Sequence, residues 1–389
     1  MKKISLLILL FAVFVIPGAS PVSAQHLSDG AKISLLTASP GDELYAAFGH
    51  SALWVYDPVS DIDEVYNWGT FDFDTPNFYL KFLQGRLLYK LSVTSINVFL
   101  QEYRYGGRAV YEQELKLSGE EKERIYQFLQ VNRRPENIHY LYDFFYDNCA
   151  TRIRDLVDEL LEVDWGPDPH PHEERSFRDM LQPYVGHMPW ITFGIDILLG
   201  MPADKRATPW HYMFLPDEMF IAFQHARHSD GRLLVRSYNE LLPERIERGT
   251  TFPVTPTWAF WLLFAAGCLT LLRKRVFMAF SMTYFFLLGL LGLLVFFMWF
   301  LSDHIATAMN LNLLWAIPTH LYFAFKIRSG KREKLSVLYF RIVLFLLLAL
   351  LVLWPFLPQD LHPAFFPVIA LAAVLVAGNS FLPRYKPQT

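Results

Sequence analysis

The chain has 389 residues, a formal net charge of −3 and 53% hydrophobic residues. This length is sufficient for a globular domain plus a membrane region, and the weakly acidic balance excludes the large basic surface that nucleic-acid binding requires. The apolar residues are unevenly spread. Up to about residue 255 the composition is typical of a soluble domain, and beyond it the composition is typical of a membrane bundle.

The N-terminus has the three parts of a secretory signal peptide. Met1-Lys2-Lys3 is basic, Ile4–Ile16 is apolar, and Val22-Ser23-Ala24 is a small-residue cleavage site. The apolar run is shorter than the ~20 residues that a spanning helix needs. We therefore predict that 1–24 is a signal peptide and that 25–250 is an exported, periplasmic domain.

Strands are predicted in the first half of this domain. A turn-forming cluster, Asp57–Asp61, separates two segments rich in β-branched and aromatic residues and indicates a hairpin. A short helix is expected at Thr75–Gln84. The predicted strands are Ala31–Thr37, His50–Tyr56, Glu64–Phe73, Leu87–Val93 and Arg108–Leu117.

Two helices follow with clear start signals. Ser118 and Glu121 have the capping-box spacing, and the helix they open is expected to end near Asn132. A second helix should begin at Cys149, after the N-cap residues Asp147 and Asn148, and should bury one apolar face. That face consists of Ile153, Leu156, Val157, Leu160 and Leu161. A further helical segment is expected at Ser176–Gly200.

The C-terminal region contains five apolar stretches. They lie at 257–272, 276–301, 311–326, 336–357 and 364–382. Clusters of Lys and Arg follow the first, third and fifth stretches, whereas Ser302–Asn310 and Pro358–His362 contain neither. By the positive-inside rule, we predict five transmembrane helices over 257–382 in the bacterial inner membrane, with the folded domain in the periplasm and the C-terminal tail in the cytoplasm.

Cys149 is the candidate nucleophile. The only other cysteine, Cys268, lies in the first apolar stretch and is not expected to reach it for a disulfide. An unpaired thiol in an oxidising compartment suggests chemistry, although a buried structural cysteine is the plainer alternative. At a helix N-terminus, the exposed N–H groups and the dipole favour the thiolate.

His50 is the candidate base, because it follows a glycine at the start of a strand where it could reach a helix terminus. A third group should orient its imidazole. If the hairpin turn is centred between residues 59 and 60, Asn67 lies opposite Ala52 and on the same face as His50. Asp72 and Asp143 are the rival candidates for this role.

Other chemistry is less well supported by the residue pattern. His170 and His172 form a cluster with Glu173 and Glu174, but His-Pro-His in a loop is not a recognised zinc-ligand spacing. We therefore expect no metal and no cofactor. His320 lies within the third apolar stretch, where an ionisable group is a functional candidate, although a packed histidine beside the kink expected at Pro318 is the favoured interpretation.

Several motifs together resemble a known family. A histidine on a strand, followed by a cysteine in an Asn-Cys helix start, resembles circularly permuted NlpC/P60 and lecithin–retinol acyltransferase-like thiol enzymes. More closely, the chain resembles the Lnb N-terminal periplasmic domain family of Bacteroidota. The motifs that carry this resemblance are Gly49-His50-Ser51, Tyr66–Phe73, Asn77-Phe78, Asn148–Arg152 and Phe214-Leu215-Pro216.

The resemblance implies an α+β fold: a circularly permuted papain-like (NlpC/P60-like) periplasmic domain followed by an all-α five-helix transmembrane region. It also implies lipoprotein N-acylation, with a phospholipid as acyl donor and a diacylated lipoprotein as acceptor at the surface of the lipid bilayer. Cys149 takes the place of the nucleophile and His50 that of the base. The resemblance assigns no third residue, so Asn67 depends on the hairpin register alone.

Three alternatives remain open at this stage. The same Cys–His pair could serve a peptidoglycan amidase or peptidase of NlpC/P60 type, which would need an open, polar groove. It could serve a phospholipase with water as acceptor. The chain could also be a membrane scaffold without catalytic activity.

Overall fold

A computed structural model of the protein describes residues 26–171, 173–245, 254–329 and 334–381. The predicted signal peptide, 1–24, lies outside the described residues. Within them, the chain forms a mixed α/β domain built on one sheet, followed by a helical region.

The sheet has seven strands, and every neighbouring pair is antiparallel. The strand order is β6-β4-β3-β2-β1-β5-β7. The strands are β1 (Lys32–Ala38), β2 (His50–Asp57), β3 (Ile62–Thr70), β4 (Leu88–Thr94), β5 (Val110–Leu115), β6 (His139–Leu141) and β7 (Val235–Leu242). Neither β6 nor β7 was predicted, because both are edge strands without a strong alternating pattern.

The helices of the α/β domain are α1 (Phe78–Leu83), α2 (Ile96–Tyr105), α3 (Gly119–Asn132), α4 (Cys149–Leu161), α5 (Phe177–Val185), α6 (Pro189–Leu198), α7 (Pro209–Tyr212) and α8 (Pro216–His225). The capping box of α3 is confirmed: Ser118 Oγ accepts from Glu121 N at 3.2 Å, and Ser118 N donates to Glu121 Oε2 at 2.6 Å. The single helix predicted at Ser176–Gly200 is wrong, because Gly186 ends α5 and α6 starts again at Pro189.

The predicted register of the β2–β3 hairpin is confirmed. Leu53 pairs with Tyr66, and Asp57 pairs with Ile62, so the same register sets Asn67 opposite Ala52. β3 ends at Thr70 rather than at the predicted Phe73, because its pairing with β4 shifts between Asn67 and Thr70. A slip of one residue would have moved the Asn67 side chain to the other face of the sheet.

Each face of the sheet carries a hydrophobic core. On one face, alternate residues of β1 and β2 such as Leu35 and Leu53 pack with apolar residues of α3 and α4, and Cys149 belongs to this cluster. On the other face, Ala52 and Trp54 pack with residues of α2. This alternation follows from the two-residue period of a strand, and it puts α4 beside the ends of β2 and β3.

The helical region contains α9 (Pro256–Leu269), α10 (Lys274–Phe300), α11 (His320–Ser329), α12 (Lys334–Leu353) and α13 (Phe365–Phe381). Within the described part of the chain, two helical segments, Lys274–Phe300 and Lys334–Phe356, are long and apolar enough to cross a membrane. The number of transmembrane helices therefore stays a prediction.

The predicted third stretch, 311–326, is wrong as a single helix. Leu311–Leu314 forms only a 3₁₀ turn, and α11 begins at His320. Pro318 disfavours a helical conformation in the residue before it. In addition, the amide of Asn312 donates to the carbonyls of Asp196 and Ile197, each at 3.0 Å. The break therefore lets this segment bind α6 of the α/β domain.

Other polar contacts attach the α/β domain to the helical region. Asn310 Nδ2 donates to the carbonyls of Ile197 and Leu198, and Gln359 Nε2 donates to that of Leu199. Gly200 lies so close to the 302–310 loop that a Cβ at this position would stand 1.9 Å from the Ala308 carbonyl oxygen. Helix α6 and the residues after it are thus the main attachment between the two regions.

Candidate active site

Cys149 is the first residue of α4, as the capping pattern predicted. The Asn148 side-chain oxygen accepts hydrogen bonds from the backbone N–H groups of Ala150 at 2.8 Å and Thr151 at 2.9 Å. In return, Thr151 Oγ1 accepts from Asn148 N at 2.8 Å, which completes a capping box. The thiol is therefore fixed in the first turn of α4, where the positive end of the helix dipole lies.

The residues around Cys149 also tie this helix start to the rest of the domain. Asn148 Nδ2 donates to the carbonyls of Phe144 at 2.7 Å and Phe214 at 2.9 Å. The second bond gives the Phe214-Leu215-Pro216 motif a structural role in positioning the nucleophile.

Arg152 makes a second tie. Its guanidinium pairs with both oxygens of Asp147, at 2.6 and 2.8 Å, and lies over the Tyr140 ring with its Cζ 3.6 Å from the centroid. Asn148 and Arg152 thus both fix the start of α4, which carries the thiol.

His50 begins β2 and reaches Cys149 from the sheet. Its Nε2 lies 2.6 Å from Asn67 Oδ1, so Nε2 carries a proton that it donates to this oxygen. The imidazole also lies beside Cys149, because both side chains approach the Cβ position of Gly69 and each group shifts the pKa of the other. Nδ1 is the ring nitrogen that the bond to Asn67 does not use. The structure therefore brings all three predicted site residues together.

Two glycines make room for this arrangement. Gly49 has φ +78°, and a Cβ there would stand 2.9 Å from the Ala38 carbonyl oxygen. Gly69 has φ +96°, and its Cβ position lies 3.7 Å from Cε1 of His50 and 3.9 Å from Cβ of Cys149. Glycine tolerates this left-handed backbone without a steric penalty.

The electrostatics favour a thiolate–imidazolium pair. Burial alone would raise the pKa of Cys149, but the positive charge and hydrogen bond of His50, together with the N–H groups of Ser51 and Ala150, outweigh it and lower that pKa. Burial likewise opposes the charged form of His50, but the charge of Cys149 and the hydrogen bonds to Cys149 and Asn67 raise its pKa. Both shifts act in the direction that favours the thiolate–imidazolium form of the pair.

Two further residues at the site were not predicted. The Tyr140 hydroxyl is buried and has no hydrogen-bond partner among the described residues; burial and then the nearby charge of Cys149 raise its pKa. Arg108 donates through Nε to the Ser39 carbonyl at 2.6 Å, and its positive charge acts on His50 and Cys149. Neither has a local sequence signal. Tyr140 lies on β6 and Arg108 lies just before β5, so strand pairing brings both residues to the site.

Asp72 and Asp143, the rival candidates for orienting the His50 imidazole, have structural roles instead. Asp143 Oδ1 accepts from the backbone N–H groups of Phe145 at 2.9 Å and Tyr146 at 3.0 Å, and Asp72 Oδ1 accepts from Asp74 N at 2.9 Å. Both aspartates therefore stabilise turns.

The remaining histidine candidates are also engaged. Nε2 of His170 lies 2.9 Å from Glu218 Oε2, and His172 lies outside the described residues. His320 bonds to the Trp315 carbonyl at 3.0 Å and to the Tyr339 hydroxyl at 2.7 Å. Within the described ranges, no group of three or more His, Cys, Asp or Glu residues could hold a metal ion.

The fold and the site together define a membrane protein whose α/β domain brings a histidine, bonded to an asparagine, to a cysteine at a helix start. Two family models match the chain: the Lnb N-terminal periplasmic domain over residues 23–169 and the Lnb transmembrane domain over 247–386. The chain belongs to the Lnb family, so it is a membrane protein with a periplasmic region, and the family predicted from the motifs is confirmed. No curated protein and no solved structure matches it.

Proposed function

We propose that this protein is a lipoprotein N-acyltransferase of the inner membrane. It transfers an acyl chain from a phospholipid to Cys149, where the chain is held as a thioester. The chain then passes to the N-terminal amine of a diacylated lipoprotein. Membership in the Lnb family suggests the role in lipoprotein N-acylation. The observation that carries the chemistry is the placement of Cys149 at the N-terminus of α4 beside the imidazole of His50, which bonds to Asn67.

In the first half-reaction, the Cys149 thiolate attacks the carbonyl carbon of a phospholipid acyl ester. The C–S bond forms as the carbonyl oxygen becomes an oxyanion, which the Tyr140 hydroxyl and the backbone N–H of Cys149 can stabilise. When this intermediate collapses, the C–O bond breaks and the His50 imidazolium gives its proton to the leaving alkoxide. The products are a lysophospholipid and an acyl-thioester, with His50 now neutral.

In the second half-reaction, the α-amine of the lipoprotein attacks the thioester carbonyl. An α-amine has a pKa of about 8, so a usable fraction is unprotonated at neutral pH. Neutral His50 accepts the proton that the amine loses on attack, the C–S bond breaks, and the thiolate–imidazolium pair is restored. This sequence predicts ping-pong kinetics.

Asn67 keeps the imidazole in the orientation that both steps need. Its Oδ1 accepts from Nε2, which leaves Nδ1 as the ring nitrogen that exchanges protons in both steps. Burial of Cys149, whose exposed fraction is 8%, limits access of water to the thioester. Exclusion of water favours the amine over hydrolysis.

Intact-mass spectrometry of the full-length protein in phospholipid vesicles tests the proposal. The wild-type protein should gain the mass of one acyl chain, Cys149→Ala should gain none, and Cys268→Ala is the matched control that should behave as wild type. Addition of a synthetic diacylated lipopeptide with a free N-terminus should remove the adduct and yield the N-acylated peptide.

Retained transfer by Cys149→Ala would exclude Cys149 as the nucleophile. An adduct that water discharges, with no N-acylated peptide, would indicate a phospholipase instead.

A further inference from the structure

Helix α1 exposes apolar side chains to an unusual degree. Its sequence is Phe-Tyr-Leu-Lys-Phe-Leu, and none of its six residues is buried. Together with flanking residues it forms a continuous segment of exposed apolar side chains, which we call the α1 patch: Phe73, Tyr79, Leu80, Phe82, Leu83 and Leu88. Single exposed apolar residues are normal on a soluble domain, but a cluster of them marks a binding surface.

The position of the α1 patch relative to the helical region is fixed by polar contacts. The backbone N–H of Asp303 donates to the Gln84 carbonyl at 2.8 Å, and His304 Nε2 donates to the Phe82 carbonyl at 2.8 Å. Arg86 also pairs with Asp303 at 2.7 Å. Because α10 ends at Phe300, α1 is held within a few residues of the end of a helix long enough to cross the membrane.

The end of α10 has the features of a membrane interface. Trp299 and Phe300 lie in its last turn, with ring centroids 4.6 Å apart, and aromatic residues of this kind concentrate where the apolar core meets the headgroups. Lys81 is the one charged residue of α1, and a lysine can bury its methylene stem while its ammonium reaches the headgroup layer. These features favour the lipid bilayer as the partner of the α1 patch.

A path of aromatic rings leads from the α1 patch toward Cys149. The centroid distances along it are 6.3 Å (Phe82–Phe78), 5.9 Å (Phe78–Phe71), 5.3 Å (Phe71–Tyr89) and 4.5 Å (Tyr89–Tyr142). Phe71, Phe78 and Tyr142 pack against the same hydrophobic cluster that contains Cys149. Apolar side chains in contact therefore continue from the α1 patch to the hydrophobic cluster that contains Cys149.

We infer that the α1 patch inserts into the outer leaflet of the inner membrane and that the aromatic path guides an acyl chain of a leaflet phospholipid to Cys149. The insertion depends only on the exposed side chains and their anchoring to the 302–310 loop. The guidance of the acyl chain rests on the proposed function and deepens it, because it names a bilayer phospholipid as the molecule that the patch receives.

Photo-crosslinking tests the insertion without any need for activity. Tyr79 is 78% exposed, and Val59, in the turn at the other end of β3, is 76% exposed. Each is replaced by benzoylphenylalanine in the full-length protein, which is reconstituted in phosphatidylethanolamine vesicles and irradiated. Position 79 should yield a phospholipid adduct and position 59 should not. No adduct at position 79, or equal adducts at both, would overturn the insertion.

Substitution of exposed α1 residues by glutamate tests whether the aromatic path guides an acyl chain to Cys149. With no acceptor present, Tyr79→Glu combined with Leu80→Glu should slow acylation of Cys149 by vesicle phospholipid at least about tenfold, because membrane binding scales with inserted apolar area. Val59→Glu should leave it unchanged. Alkylation of Cys149 by iodoacetamide, which is soluble in water, should be the same in all three proteins.

The two proposals fail in different ways. Unchanged acylation in the α1 variant refutes the guidance and leaves the acyltransferase intact. A wild-type protein that forms no adduct refutes the acyltransferase, and with it the guidance, whereas the crosslinking result for the α1 patch stands by itself.

Discussion

Substitution of Asn67 by alanine is the most direct test of the site geometry. The change removes the 2.6 Å hydrogen bond from His50 Nε2, whose donor is charged in the thiolate–imidazolium pair. A hydrogen bond to a charged group contributes about 1.5–3 kcal/mol, and each 1.36 kcal/mol is tenfold in rate. We therefore expect acylation of Cys149 by phospholipid to slow by about tenfold to a hundredfold.

The pH dependence separates this positioning role from a loss of structure. The Asn67 bond is one of the interactions that raise the pKa of His50, so its removal lowers that pKa. Protonation of the leaving alkoxide needs the imidazolium, which is lost as the pH rises through the pKa of His50. The alkaline limb of the acylation rate should therefore move to lower pH in Asn67→Ala.

The assay is the initial rate of adduct formation, measured by intact mass across a pH series. Asn67→Asp keeps an acceptor oxygen and should recover part of the rate. Asn239→Ala, which removes a 3.1 Å bond to Glu112 between β5 and β7, is the control for loss of an amide on the sheet. An Asn67→Ala protein within twofold of wild type and with an unchanged pH profile would refute the assigned role of Asn67.

Three other changes have expected outcomes. His50→Ala should raise the pKa of Cys149 toward the ordinary thiol value of about 8.5. The rate of Cys149 alkylation by iodoacetamide should therefore fall steeply at pH 6 and approach the wild-type rate above about pH 9. Equal alkylation rates of variant and wild type at pH 6 would contradict the ion pair. Tyr140→Phe should slow acylation by about a hundredfold, which is the effect of losing one oxyanion donor. The melting temperature should not fall, because the Tyr140 hydroxyl has no hydrogen-bond partner within the described structure. Full activity of this variant would exclude Tyr140 from the mechanism. Arg178→Met should destabilise the protein by about 3–5 kcal/mol. The reason is that the buried carboxylates of Asp196 and Asp204, which pair with Arg178 at 2.5 and 2.7 Å, lose their counter-charge. A melting temperature in detergent equal to that of the wild type would contradict this prediction.

Local interactions made several elements predictable. The start of α4 at Cys149 and the capping box of Ser118 and Glu121 depend on side chains that bond to backbone groups within three residues of themselves. The β2–β3 register followed from the position of its turn, and that register brought Asn67 to the face of His50. Each of these features is decided by residues that are near one another along the chain.

The predictions that failed depend on contacts made from a distance. The segment 311–326 is apolar enough for a helix, but its first residues bind the carbonyls of α6, which lies more than a hundred residues earlier in the chain. The site residues Tyr140 and Arg108 were missed for the same reason, because only the pairing of β6 with β4 and of β5 with β1 brings them to Cys149.

The sequence by itself therefore determined the family, the nucleophile's place at a helix start and the pairing that unites His50 with Asn67, because capping, turn position and alternation are short-range effects. Only the tertiary structure decided which other groups surround the thiol, and it alone revealed that α1 is held beside the end of α10 with its apolar side chains uncovered. A sequence pattern indicates which residues prefer burial. The tertiary structure determines which of these residues pack against the protein and which stay exposed, where the membrane can cover them.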